Sequence, residues 1–286
     1  MARHDIVKAY IDEASAEAVL FTRNSNIQWF FEGEVDPRVD ISTELAAFWL
    51  LVTSSMVIAL CPRYDVDRIR DEVLPKDVEI MGFDGFSNSV ESVGSICSKF
   101  SKVAVDSDLF FSSSNYVPIG KSFYEKTQLL SEREILRLRV TGKLTENIIC
   151  EFAPELQPGM TELEVEKVLR AIFIESGLEV PTLCIASDER ISKSPYPVST
   201  AKKISRYLML RATIRKQGLS VSLSRYFHFG AVPQELEQGH ERASGIAAKG
   251  AVAIMRAKTM SEVFEEIKNA YASLNAADEV AYYSPG

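Results

Sequence analysis

The sequence predicts an α/β domain over residues 1–120 followed by an α+β domain over residues 121–286. The chain has 286 residues, which is enough for two domains of ordinary size. Before residue 112, short apolar runs alternate with amphipathic segments, a pattern typical of an α/β domain with a partly parallel sheet. Residues 112–120 are polar and turn-rich, and long amphipathic segments follow them. We therefore place the linker between the two domains at residues 112–120.

Apolar spacing defines the elements of the N-terminal domain. Helices are predicted where apolar residues recur at helical intervals, at 5–18, 65–74 and 87–101. Strands are predicted for the short apolar runs, at 18–22, 48–52, 56–60, 78–83 and 102–106. The polar run Asn24–Asn26 is interpreted as a turn, and Ser54 and Ser55 as the turn between two strands.

The second domain begins with two predicted helices. A long helix is expected from about Glu125 or Ser131 to Phe152, and Ser131 and Glu134 have the spacing of a capping box. Residues 158–160 (PGM) predict a turn, and a second helix is expected from Thr161 to Gly177. The remaining elements are predicted as strands at 181–187, 206–214 and 219–225 and helices at 233–256 and 259–273.

Charge and composition exclude several classes of protein. Residues 1–124 contain 11 Lys and Arg but 19 Asp and Glu, so the whole net charge of −8 lies in the front half. An acidic half is a poor partner for nucleic acid, whose binding depends on Lys and Arg. The most apolar stretch, 46–61, is interrupted by polar residues and is too short for a membrane span.

The four cysteines predict neither a zinc site nor a redox dithiol. Cys61, Cys97, Cys150 and Cys184 are widely spaced, and no C-x-x-C pair occurs. We expect buried, reduced thiols and hence a cytoplasmic protein. The N-terminus also lacks the apolar segment of a signal peptide.

Several short segments together resemble a known family. These segments are Lys126, Glu132 and Glu134 in the first helix, LQPGMTELEV at 156–165, Gly218, SLSR at 222–225, Phe229 and Gly230, and in the front half AVLF at 18–21, NIQWF at 26–30 and Gly33. In order and spacing they resemble the Xaa-Pro peptidase and creatinase family, the "pita-bread" proteins that include prolidase, aminopeptidase P and methionine aminopeptidase. The resemblance implies a creatinase-like α/β N-terminal domain and an α+β domain that forms an incomplete pita-bread fold.

The resemblance also implies where a metal site would lie. Peptidases of the family hold two divalent metals on two Asp, one His and two Glu, and the metals activate a water. With Gly218 as the anchor, the two Asp positions fall on Arg211 and Ser222. Arg is a permanent cation without acceptor capacity, and a neutral hydroxyl is a poor lone ligand for such a site.

The remaining ligand positions depart from the family as well. The substrate-facing His position falls on Tyr196, and a counterpart of the family's His-rich strand is expected at 281–286, with Tyr282 and Tyr283 in place of His. The resemblance places both Glu ligands beyond Gly286. We therefore predict no catalytic residues, no metal and no cofactor, and the substrate-cleft candidates are Tyr196, Arg211, Ser222, Arg225, Tyr282 and Tyr283.

Other catalytic sites find no support in the sequence. His4, His228 and His240 are interpreted as structural or surface residues, with His4 in a frayed terminus. No G-x-S-x-G or phosphate-binding glycine motif occurs. Arg211 and Arg225 are open to two interpretations, a cationic spot for a carboxylate or ion pairs with neighbouring acids.

The sequence therefore predicts a catalytically inactive, peptide- or protein-binding homologue of the Xaa-Pro peptidases. The alternative is a hydrolase, either an Xaa-Pro aminopeptidase or dipeptidase or a metal-free enzyme of creatinase type, acting on small peptides or C–N bonds. The expected partners are a peptide or protein ligand and a second copy of the chain. The homodimer is expected because half of a pita-bread domain would leave sheet edges and apolar helix faces uncovered.

Overall fold

The computed structural model describes residues 3–86, 88–257 and 259–282. The chain divides into two compact units, each built from several segments. The first unit contains residues 1–156, 163–185 and 210–225, and the second contains residues 157–162, 186–209 and 226–286. The boundary that we expect near residue 120 stays a prediction.

A mixed six-stranded sheet organises the first unit, in the order β4-β3-β2-β1-β5-β6. Its strands are β1 (Ala18–Arg23), β2 (Leu45–Thr53), β3 (Val57–Pro62), β4 (Glu79–Phe83), β5 (Val103–Val105) and β6 (Tyr116–Pro118). β1 and β3 are antiparallel to β2, whereas the pairs β3–β4, β1–β5 and β5–β6 are parallel. The prediction of a partly parallel α/β sheet is confirmed.

Both faces of this sheet are buried. Successive side chains of a strand point to opposite faces, so Val19 and Phe21 lie in one apolar cluster and Ala18 and Leu20 in the other. This explains why β1 reads as a continuous apolar run instead of an alternating one.

Helices cover the sheet or follow it in the chain. Their bounds are α1 (Arg3–Ala14), α2 (Asn24–Phe30), α3 (Val66–Arg68), α4 (Ser89–Cys97), α5 (Lys121–Thr127), α6 (Glu132–Phe152), α7 (Glu162–Glu175), α8 (Gln234–Arg256) and α9 (Met260–Ser273). α3 continues into a π-helical turn, so the predicted helix at 65–74 is present but irregular. The capping box that begins α6 is present, with the Ser131 and Glu134 side chains bonded to each other's backbone N–H.

A second, three-stranded sheet has the order β7-β8-β9. Its strands are β7 (Glu179–Ser187), β8 (Tyr207–Lys216) and β9 (Leu219–His228). All three were expected within a few residues of these bounds. Among the strands that the described residues form, β9 has a neighbour on one side only, so it is an edge strand of this sheet.

The predicted turn at Asn24–Asn26 is wrong, because these residues form the first turn of α2. Their side chains bond to distant groups: Asn24 Nδ2 donates to the Thr43 carbonyl at 2.7 Å, and Asn26 Nδ2 donates to Asp106 Oδ2 at 2.8 Å. An asparagine engaged in this way no longer competes for the local backbone, so the helix can form.

The structure also differs from the expectations for two other segments, residues 112–120 and 281–286. The region 112–120, interpreted as a linker, contains β6, which pairs with β5 through Tyr116–Pro118. The strand expected at 281–286 is wrong for Ala281 and Tyr282, which end a 3-10 helix at Ala277–Tyr282. The rest of that expected strand lies outside the described residues.

The cysteines mostly follow the expectation. All four are free thiols; Cys61, Cys97 and Cys184 are buried, but Cys150 is exposed on α6. Burial raises the pKa of the Cys61 and Cys97 thiols to about 11, so both are protonated at neutral pH. Among the described residues, no helix combines the length and apolarity that a membrane span requires.

Candidate functional site

The candidate site lies on the hairpin formed by β8 and β9. The two strands are joined by Gln217 and Gly218, whose φ angles of 49° and 79° are both positive. A two-residue connection with positive φ at both positions is a type I′ turn, which places Lys216 opposite Leu219. The same register places Thr213 opposite Ser222, and their hydroxyl oxygens lie 2.9 Å apart.

The register also determines which way each backbone group points. Pairs in an antiparallel ladder alternate between hydrogen-bonded and non-hydrogen-bonded, starting here from the bonded pair that flanks the turn. Thr213 and Ser222 are therefore a non-hydrogen-bonded pair. It follows that the N–H and C=O of Ser222 point away from β8, toward the open edge of the sheet.

Arg211 and Ser222 lie on the same face of this hairpin. Arg211 and Thr213 are two residues apart in β8, so their side chains share a face, and Thr213 bonds to Ser222. Arg211 is half-buried and has interactions within the chain, while Ser222 is exposed. The structure thus brings the two predicted Asp positions together as diagonal neighbours on adjacent strands.

The residues at these two positions do not fit a metal site. The Arg211 guanidinium has no lone pair to give to a cation, and the Ser222 hydroxyl is already bonded to Thr213. Among the described residues, no group of three or more His, Cys, Asp or Glu side chains is arranged to hold a metal ion.

Arg225 lies on the opposite face from Ser222, because it is three residues further along β9. Its Nη2 lies 3.3 Å from Glu146 Oε1 of α6, and its Nη1 donates to the Ser224 carbonyl at 2.9 Å. The ion-pair interpretation is therefore confirmed for Arg225. Arg211 and Arg225 do not converge on one cationic spot.

Serine side chains line the exposed face of β9. Along β9 from Leu219 to Tyr226, half-buried and exposed residues alternate strictly. The exposed positions within the first unit are Ser220, Ser222 and Ser224. Together with Arg211, Thr213 and Arg215 of β8 they form a polar face, which we call the hairpin face.

An ion-pair cluster that the sequence analysis missed anchors one end of the hairpin face. Arg38 binds Glu179 through two hydrogen bonds of 2.7 and 2.9 Å and binds Asp36 through two of 2.7 Å. Arg215 also donates to Glu179, from Nε at 2.9 Å and from Nη2 at 2.5 Å. The hydrogen bonds from Arg38, and then those from Arg215, lower the pKa of Glu179, whereas burial acts to raise it. The net result is a pKa below the ordinary value of a glutamate.

A polar cavity of about 420 Å³ adjoins this cluster. Arg38, Arg215, Gly218 and Ser220 line it, so the cavity is continuous with the hairpin face. No sequence signal could have found this arrangement, because its charged residues come from segments that are far apart in the chain and follow no period.

The other predicted cleft residues are placed as follows. Tyr196 lies in the second unit and is 45% exposed, with its backbone N–H donating to Ser194 Oγ at 3.2 Å. Tyr282 belongs to the 3-10 helix Ala277–Tyr282, and Tyr283 lies outside the described residues. Their roles in a cleft stay predictions.

A buried carboxylate organises the segment that contains Tyr196. Glu162 is fully buried, and it accepts hydrogen bonds from the backbone N–H and hydroxyl groups of Ser187 and Thr200. Arg190 forms an ion pair with the same carboxylate. The five donors explain why a charged group can be buried here.

Asp188 fixes the other end of the same segment. Its carboxylate accepts the backbone N–H groups of Ser205, Arg206 and Tyr207 at 2.9–3.0 Å. Although burial acts to raise the pKa of Asp188, these three donors outweigh it and hold the pKa below its ordinary value.

The histidines have structural partners. The expectation that His4 lies in a frayed terminus is wrong, because its Nε2 lies 2.9 Å from the Thr53 carbonyl oxygen. In the second unit, His228 Nδ1 lies 3.3 Å from the Gly230 carbonyl, and the His240 ring packs edge-on against Tyr226.

Comparison with solved structures shows that this chain has the fold of the Xaa-Pro peptidases. The Xaa-Pro dipeptidase from Bacillus anthracis matches with a TM-score of 0.75 at 15% identity, over 96% of this chain and 78% of that chain. Dipeptidase PepE from Mycobacterium ulcerans matches with a TM-score of 0.77 at 15% identity, over 96% and 77% of the two chains. No family profile and no curated protein sequence matches the chain.

A third match is a component of an assembly. The N-terminal domain of the FACT complex subunit SPT16 from chickpea (Cicer arietinum) matches with a TM-score of 0.67 at 12% identity, over 98% of this chain and 78% of that chain.

The matches to the two dipeptidases show that the chain has the pita-bread fold. The resemblance seen in its sequence is therefore confirmed at the level of the fold.

Proposed function

We propose that this protein is a peptide- or protein-binding homologue of the Xaa-Pro peptidases that does not perform two-metal hydrolysis. The observation that carries the proposal is the pair Arg211 and Ser222 on one face of the β8–β9 hairpin, where the resemblance expects two Asp ligands. A guanidinium at the first position repels a divalent cation in addition to failing to bind it. The fold also occurs in a subunit of the FACT complex, which supports a role in assembly.

The open edge of β9 supports a specific mode of binding. An extended peptide can add as a new strand to a sheet edge, where main-chain hydrogen bonds supply affinity and side-chain positions supply selectivity. The outward N–H and C=O of Ser222 belong to such an edge. Three buried free thiols fit the further proposal that the protein works in the reducing cytoplasm.

Metal content and hydrolysis test the absence of two-metal catalysis. The protein is incubated with Mn²⁺, Co²⁺ or Zn²⁺ and then passed over a gel-filtration column. We expect elemental analysis to find no stoichiometric metal, and we expect an activity assay to find no hydrolysis of an Xaa-Pro dipeptide. The prolidase from Pyrococcus horikoshii, which has the same fold, serves as the positive control. Two bound equivalents of metal would overturn the proposal. Hydrolysis that survives a chelator would replace it with the metal-free hydrolase.

Peptide selection tests the binding mode. Phage-displayed random decapeptides selected on the wild-type protein are expected to lose binding to Ser222→Pro by about tenfold or more, because proline removes an outward N–H. Proline is tolerated at an edge position whose N–H faces solvent, so the hairpin should persist in circular dichroism. The matched control, Ser222→Ala, removes the hydroxyl but keeps the N–H and should bind normally. Selected peptides that bind Ser222→Pro equally well would rule out the β9 edge, and a selection without binders would count against peptide binding itself.

A further inference from the structure

The helical hairpin of the second unit has an open groove. α8 and α9 pack together through Ile246, Gly250 and Ala253 on one helix and Val263 and Ala270 on the other. Beside this contact lies a groove of about 770 Å³. Its floor is built from small apolar residues, which are Ala248, Val252, Ala253, Ala257 and Ala270. Small side chains along a helix allow another helix to approach closely, so the groove has the shape of a helix-binding surface.

The rim of the groove carries opposite charges on its two sides. Lys249 and Arg256 line it on α8, whereas Glu262 and Glu266 line it on α9. Arg256 and Glu262 lie at the same end of the groove, because only a short connection, residues 257–259, joins the two helices. Each helix thus presents the charge that the other helix would attract.

We propose that the occupant of this groove is a second copy of the same hairpin, so that two chains form an antiparallel four-helix bundle. A two-fold axis along the groove places α8 of one copy on α9 of the other and leaves the two ends of the hairpin in register. Arg256 then faces the other copy's Glu262. Lys249, whose Nζ donates to Ser273 Oγ at 2.6 Å within its own chain, lies at the other end of the groove and takes no part in this charge pairing. A two-fold axis across the groove would instead stack α8 on α8 and bring like charges together. The charge pattern therefore selects the first arrangement, which is also the ordinary packing of up-down helix bundles.

This proposal is independent of peptide binding at β9, and it is tested by sedimentation velocity of the full-length chain. The wild-type protein is expected to be a concentration-dependent dimer. Arg256→Glu alone and Glu262→Arg alone should each weaken self-association by about tenfold or more, because each creates two symmetry-related like-charge contacts in a homodimer.

Mixing the two single variants gives the decisive result. In a heterodimer of Arg256→Glu with Glu262→Arg, both contacts again join opposite charges, so the mixture should dimerise although neither variant does so alone. Arg242→Glu, a charge reversal on α8 outside the groove lining, is the matched control and should leave the dimer intact. Circular dichroism checks that every variant keeps its helices. A wild-type chain that stays monomeric, or a mixture of the two variants that does not associate, would overturn the proposal.

Discussion

Replacing Glu162 with Gln is expected to lower the free energy of unfolding by about 3 kcal/mol, since the change breaks a buried ion pair and leaves buried donors unpaired. Glu162 has no exposed surface. Its Oε1 accepts the N–H and hydroxyl of Ser187, both at 2.8 Å, and its Oε2 accepts the N–H and hydroxyl of Thr200, both at 2.9 Å. An amide offers only one oxygen, so its NH₂ group would have to face the backbone N–H donor of Ser187 or of Thr200, which cannot accept a hydrogen bond. Arg190 would at the same time lose its charged partner.

Urea denaturation followed by circular dichroism measures the effect, with Glu175→Gln as the matched control. Glu175 is exposed at the other end of the same helix, α7, so the same chemical change there should alter stability by less than about 0.5 kcal/mol. Equal stabilities of the two variants would show that the carboxylate of Glu162 does not hold the segment in the way described.

Local signals in the sequence predicted most elements, because their causes lie within a few residues. The capping box at Ser131 and Glu134 is one example, since both partners belong to the first turn of α6. The helix at 161–177 is another, because Gly177, where it was expected to end, has the positive φ that a glycine adopts readily. The segment Asn24–Asn26 shows the limit of such signals. The Asn24 and Asn26 side chains bond to Thr43 and Asp106, and no residue close to them in the sequence predicts those partners.

The candidate site also has a part that could be predicted from the sequence and a part that could not. The placement of Arg211 and Ser222 on one hairpin could be predicted, because the resemblance supplied Gly218 as an anchor and strand alternation supplied the face. The separation of Arg225 from them follows from the same alternation, once Ser222 and Thr213 are seen to bond. The cluster of Arg38, Glu179 and Arg215 could not be predicted, since ion pairs between distant segments depend on the folded geometry alone.

Gly33→Ala is expected to be the most damaging substitution of a glycine, with a loss of about 3 kcal/mol in the free energy of unfolding. Gly33 follows α2 with φ of +76°, and its N–H donates to the Gln28 carbonyl at 2.7 Å. A side chain in this left-handed conformation costs about 1–2 kcal/mol by itself. A Cβ atom here would also overlap the Gln217 carbonyl oxygen and the Arg137 guanidinium. Arg137 can move, but Gln217 is backbone in the turn of the β8–β9 hairpin, so the hairpin itself must shift.

Gly142→Ala is the matched control, and it should change stability in the opposite direction. Gly142 lies inside α6, and no atom lies within 4 Å of the position that a Cβ would take. Alanine is favoured over glycine in a helix interior by about 1 kcal/mol, so this variant should gain about that much. Thermal and urea denaturation of both variants measure the difference. If Gly33→Ala is as stable as the wild type while Gly142→Ala gains stability, the close contact between Gly33 and the turn of the β8–β9 hairpin is not part of the folded protein.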